Sequence, residues 1–143
     1  MQHASFVQAL ASEPFADNMH RTDEPAFTTA IQSVPAKYGH LDALVLNAGA
    51  LGPMTRITSL DTPLDAWKTH FEVNVFSLVT ALKAAAPSLR ESPNGGKVIF
   101  VSSGAAVGGL EGWGPYNASK AAMNSLNRYE CSQAPAQARA HIL

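Results

Sequence analysis

Tyr116 and Lys120 stand four residues apart, and Ser103 lies thirteen residues before the tyrosine. Residues four apart share one face of a helix, so the phenol and the ammonium would be neighbours. A free tyrosine, with a pKa near ~10, is a poor base at neutral pH. A close ammonium favours the phenolate. The phenol can then give a proton to a carbonyl being reduced or take one from an alcohol being oxidised. A serine hydroxyl at the same oxygen can donate a hydrogen bond while charge develops there. The trio therefore suits proton transfer at an alcohol oxygen. The bare Tyr-x-x-x-Lys pair has a plainer reading, a tyrosine packed on the core beside a solvated lysine. The apolar run Lys97-Val-Ile-Phe-Val101 entering Ser102-Ser103, and the glycine-rich stretch from Gly104 to Pro115, favour the chemical reading.

The elements that would carry these residues can be placed coarsely. In residues 1–24, Ser5 to Ala11 can be read as a short helix or a strand, and the rest as loop. Pro25 to Tyr38 is predicted helical, with Pro35 breaking the pattern near its end and Gly39 at the C-cap. Residues 42–47 are apolar nearly throughout, as buried parallel strands are. A loop follows from Gly49 to Leu60. The next helix is expected to begin with Thr62 as cap, Pro63 at N1 and Asp65 at N3. Trp67, Phe71, Val75 and Leu78 form its apolar stripe, and Pro87 marks its end. Asn94-Gly95-Gly96 turns the chain. Lys97 to Ser102 is the second strand, Gly104 to Pro115 a loop, and Tyr116 to about Cys131 the last helix. The tail beyond Pro135 is expected to fray. An asparagine at Asn74, inside an apolar helix, costs helix propensity and needs partners if buried.

Composition sets bounds. Apolar residues make up 46% of the 143, and charged residues only 15%. That is low beside the roughly 25% of an ordinary soluble domain. The formal net charge is −1, so nothing recommends nucleic acid or an anionic membrane as partner. The longest apolar runs are strand-sized, far below a membrane span. The first residues show no leader-like succession of basic, apolar and cleavage-site segments. Cys131 is the single cysteine. That excludes an intrachain disulfide and fits a reducing, cytoplasmic setting. The five histidines are scattered, and no metal site is expected.

The wording Ser102-Ser103-Gly104-Ala105-Ala106, then Gly112-Trp113, then Tyr116-x-x-Ser119-Lys120-Ala121-Ala122, resembles the short-chain dehydrogenase/reductase family. It is nearest the sepiapterin-reductase and benzil-reductase branch. Asn47-Ala48-Gly49 matches the family's Asn-Ala-Gly motif, and Asn74 matches the asparagine of its catalytic tetrad. The motifs keep the family's order, and the likeness runs from about Ala26 to Tyr129. It implies an α/β fold, a Rossmann-like doubly wound parallel sheet, of which residues 1–143 would be the central portion only. It also implies catalytic roles for Asn74, Ser103, Tyr116 and Lys120. Tyr116 would donate or accept the proton. Lys120 would bind the nicotinamide ribose and tune Tyr116. Ser103 would hold the substrate carbonyl, and Asn74 would help position a water linked to Lys120. Asn47, Ala48 and Gly49 would line the cofactor side, with Tyr116 and Lys120. NADP is the expected cofactor ahead of NAD, a small ketone or diketone the expected substrate, and a homodimer or homotetramer the expected assembly.

The departure from the family pattern is equally specific. Such a domain normally opens with a strand and a Gly-x-x-x-Gly-x-Gly turn that cradles pyrophosphate at a helix N-terminus. The first forty residues hold one glycine, Gly39. The residue that would read the adenosine ribose is missing too, as are the family's last strands. A single α/β domain can run to roughly 200–250 residues. The expectation is a partial NAD(P)-binding domain, lacking the first strands with the glycine-rich turn and the last strands, whose hold on cofactor is doubtful. Two readings follow: an NAD(P)-dependent carbonyl reductase, or a catalytically inactive fragment of one. A pure scaffold role has no feature behind it.

Overall fold

The computed structural model describes residues 6–8, 24–59, 63–133 and 139–142. Four parallel strands, β1 (Phe6–Gln8), β2 (Ala43–Leu46), β3 (Lys97–Phe100) and β4 (Arg139–Ile142), lie in chain order across one sheet. Helix α1 (Glu24–Tyr38) connects β1 to β2. A long helical stretch connects β2 to β3: α2 (Leu64–Phe71), a π-helical turn over Glu72–Phe76, and α3 (Ser77–Arg90). After β3 come the short α4 (Ala105–Gly108) and α5 (Gly114–Gln133). Parallel strands need such crossovers, and successive right-handed crossovers in one direction lay their helices on one face. Accordingly α1 packs on α3, and α2 and the π turn pack on α5. This is an α/β, Rossmann-like fold.

Strand side chains alternate between faces. Leu44 and Leu46 of β2 and Phe100 of β3 meet Leu78, Ala81 and Ala85 of α3, Ile31 of α1 and Met123 of α5 in one core cluster. At the amino end of β2 the buried Asp42 accepts hydrogen bonds from Ser92 Oγ (2.6 Å) and Asn94 Nδ2 (3.3 Å). Those bonds pin the α3–β3 connection, so the carboxyl ends of β2 and β3 are held side by side at the opposite edge.

The sequence expectations hold for β2 and β3 as adjacent parallel strands, and Gly39 is a C-cap with φ +88° and its N–H on the Pro35 carbonyl (2.8 Å). Several others need correcting. Pro87 lies inside α3 rather than ending it, whereas α1 runs through Pro35 to Tyr38 as expected. Pro87 and Lys83, whose carbonyl Pro87 cannot bond, are both exposed, so water can take the freed acceptor. Pro63 keeps an extended ψ of 144° and precedes the helix instead of opening it. Asp65 accordingly stands in the first turn paired with Lys68 (2.8 Å). The expected cap Thr62 lies outside the described residues. The loop before Tyr116 contains α4, and α5 begins at Gly114. Beyond Pro135, Arg139–Ile142 forms a strand on β3 rather than a frayed tail. Backbone pairing with β3 supplies what local pattern did not show.

Candidate active site

The candidate residues gather at the carboxyl ends of β2 and β3. Lys120, on the inner face of α5, is 4% exposed. Its Nζ donates to the Val101 carbonyl (3.0 Å), just before Ser102 and Ser103. That bond ties the ammonium to the strand end bearing the candidate serine. Nζ also lies 5.8 Å from the centre of the half-buried Tyr116 ring. One helical turn thus brings phenol and ammonium together, as the spacing requires.

Ser103 Oγ accepts the Ala105 N–H (3.2 Å) at the start of α4, which orients the hydroxyl and leaves its proton to donate elsewhere. Its neighbour Ser102 donates to Asn124 Oδ1 (2.6 Å), fastening the strand end to α5 a turn beyond Lys120.

Asn47, Ala48 and Gly49 leave β2 toward the same place. Asn47 and Gly49 are exposed and Ala48 is half-buried. A methyl on Gly49 would sit 3.5 Å from Lys120 Nζ and 3.6 Å from Asn74 Oδ1. A methyl there would make ordinary contact, and anything larger would press on the ammonium, so this position suits a small residue.

Asn74 sits in the π turn, fully buried. Its Nδ2 donates to the Ala50 carbonyl (3.0 Å) and to Ser119 Oγ (2.9 Å), and its Oδ1 accepts the Ala50 N–H (2.7 Å). Ser119 in turn donates to the Tyr116 carbonyl (2.8 Å). This chain of bonds staples the loop after β2 to the turn of α5 that holds Tyr116. The wide π turn buries Val73, Asn74 and Val75 in succession, which an α-helical period would not do. Such insertions concentrate at functional sites. Spacing alone assigns Ser119 no role. Its only sequence signal is a polar residue at i+3 from Tyr116, on the face that Lys120 also uses.

Burial without a facing carboxylate pushes the Lys120 ammonium below its ordinary pKa. The stability consequence has a definite sign. Below the lowered pKa, folded and unfolded chains both carry the proton and the burial penalty is complete. Between that pKa and the unfolded value of 10.5, the unfolded chain binds the proton the folded chain has released, so stability rises with pH. We expect Lys120→Met to be more stable than the parent at neutral pH, with the advantage shrinking through the alkaline range. Urea unfolding of both proteins at matched pH values reads this. A difference that stays flat to pH 10.5 would remove the desolvated lysine.

A family model described as short chain dehydrogenase matches residues 3–137. The chain belongs to that family. Short chain dehydrogenases are NAD(P)-dependent oxidoreductases of carbonyl and alcohol groups. Among relatives, the benzil reductase ((S)-benzoin forming) of Saccharomyces cerevisiae is 37% identical over 136 residues, covering 90% of this chain and 52% of the relative. The fluoren-9-ol dehydrogenase of a Terrabacter strain is 35% identical over 129 residues, covering 80% of this chain and 36% of the relative. The crystal structure of the KRED1-Pglu enzyme superposes with a TM-score of 0.78 at 34% identity, covering 87% of this chain and 50% of that one. The chain thus spans about half the length, or less, of these short chain dehydrogenases. No helix among the described residues is long and apolar enough to cross a membrane.

Proposed function

We propose that this chain carries the catalytic centre of an NADP-linked carbonyl reductase that converts a ketone or diketone to an alcohol. The observation that carries the reading is the seat of Lys120: buried, tied to Val101, beside the Tyr116 ring and next to Gly49. Lys120, Tyr116 and the Asn47–Gly49 segment would hold the nicotinamide and its ribose. When bound, the cofactor supplies a hydride to the carbonyl carbon. Tyr116 gives the balancing proton to the oxygen, and Ser103 donates a hydrogen bond to it. Lys120 stabilises the phenolate left behind. The Asn74 side chain is engaged with Ala50 and Ser119, and it would help position a water linked to Lys120. A homodimer or homotetramer of the intact enzyme, a cytoplasmic setting and preference for NADP over NAD belong to the same reading. The similarity to benzil reductase favours a carbonyl flanked by apolar groups.

One observation favours the second reading, an inactive fragment. No glycine-rich phosphate turn occurs within residues 1–40, and that turn's N–H groups hold the pyrophosphate. Calorimetric titration with NADPH and NADH separates the two, run beside an assay of diketone reduction. We expect binding weaker than micromolar, and turnover at high NADPH that Ser103→Ala lowers by ~10²–10³-fold. Absence of both binding and NADPH consumption assigns the chain to the inactive reading.

A further inference from the structure

Successive residues of the loop after β2 meet the segment that leads into α5. Thr55 pairs with Trp113 in a one-residue parallel bridge. Arg56 forms an ion pair with Glu111. Ile57 presses on the start of α5 so closely that a methyl on Gly114 would stand 2.9 Å from its Cγ1. Gly112, at φ +76°, makes the turn that lets Glu111 and Trp113 both face this loop. Trp113 then meets Tyr116 edge to face, with ring centres 5.7 Å apart. The loop is also fixed at its other end, where Ala50 is held by Asn74.

We propose that Arg56 and Glu111 are positioning residues, clasping the two loops so that Trp113 is seated against Tyr116. The backbone bridge joins the two loops at one residue, and the ion pair lies directly beside it. Both side chains are about three-quarters exposed, at 74% and 75%. An exposed pair contributes little and is screened by salt. The clasp is therefore adjustable, and its opening moves the aromatic neighbour of Tyr116 without touching Lys120 or Asn74. The inference builds on the reading of Tyr116 as the proton donor.

The protein has two tryptophans, so Trp67→Phe leaves Trp113 as the only indole emitter. In that background Glu111→Arg should raise the open population, and with it the acrylamide quenching of Trp113, by roughly 1.5- to 5-fold. Adding Arg56→Glu to rebuild the pair with reversed charges should return quenching to the parent level. High salt should raise quenching in the parent and leave Glu111→Gln unmoved. With Trp67 retained, hydrogen exchange over residues 50–59 should be faster in Glu111→Arg. Unchanged quenching and exchange in Glu111→Arg, or failure of the charge swap to restore them, overturns the clasp. Neither readout uses cofactor or substrate, so an inactive chain leaves this test intact, and a failed clasp leaves the oxidoreductase reading standing.

Discussion

Tyr116→Phe should lower ketone reduction by ~10²–10⁴-fold, the usual cost of losing a positioned general acid. The substitution removes one oxygen and keeps the ring. The edge contact with Trp113 and the position beside Lys120 both depend on that ring. The bonds from Ser119 to the Tyr116 carbonyl and from Lys120 to Val101 involve no phenol oxygen. Stability and the hold on nicotinamide should therefore change little while the proton source disappears. Steady-state kinetics with a diketone, beside a thermal melt, reads both. A variant keeping more than about a tenth of parental turnover would show that another group supplies the proton. A variant that also melts early would reassign the oxygen to structure.

Asn74→Leu should be the most destabilising single change at the site. Leucine has similar bulk but none of the three hydrogen bonds. The N–H and C=O of Ala50 and the hydroxyl of Ser119 would lose partners in a part-buried to buried region. Leaving such groups unsatisfied costs about 1–3 kcal/mol each when water cannot replace the partner. Ala50 is half-buried and can recover some solvent, so a total near ~3 kcal/mol is expected. For a chain of this size that lowers Tm by roughly 10 °C. Ser119→Ala should cost less, because Asn74 Nδ2 keeps the Ala50 carbonyl. Denaturant unfolding of both variants gives the comparison. Equal stability of Asn74→Leu and the parent would mean that the staple carries no weight.

Residue types and local spacing were enough to bring forward the candidate groups. Tyr116 and Lys120 had to share a helix face because the α-helical period puts them there. Ser103 had to sit at a strand end because an apolar run stops before it. The strands β2 and β3 were legible from unbroken apolar runs, and Gly39 from its place after the last helical residue. Each depends on contacts a few residues long, which local sequence can express.

The tertiary structure decided the rest. Pro87 read as a helix end, yet α3 runs past it to Arg90 and packs on α1. Strand β4 exists through hydrogen bonds to a strand some forty residues earlier, and no local pattern contains that partner. Asn74 read as a residue that would need partners if buried, with a role given only by resemblance. The π turn and the bonds across to Ala50 and Ser119 make it the staple of the site. The same holds for Lys120, whose lowered pKa comes from burial in the folded site, not from its neighbours in sequence. Sequence named the groups that could exchange a proton. Only the packing of α5 against the ends of β2 and β3 decided which donors are taken and what surrounds the charge. The physical reason is that hydrogen-bond saturation and desolvation are set by whatever the fold brings near.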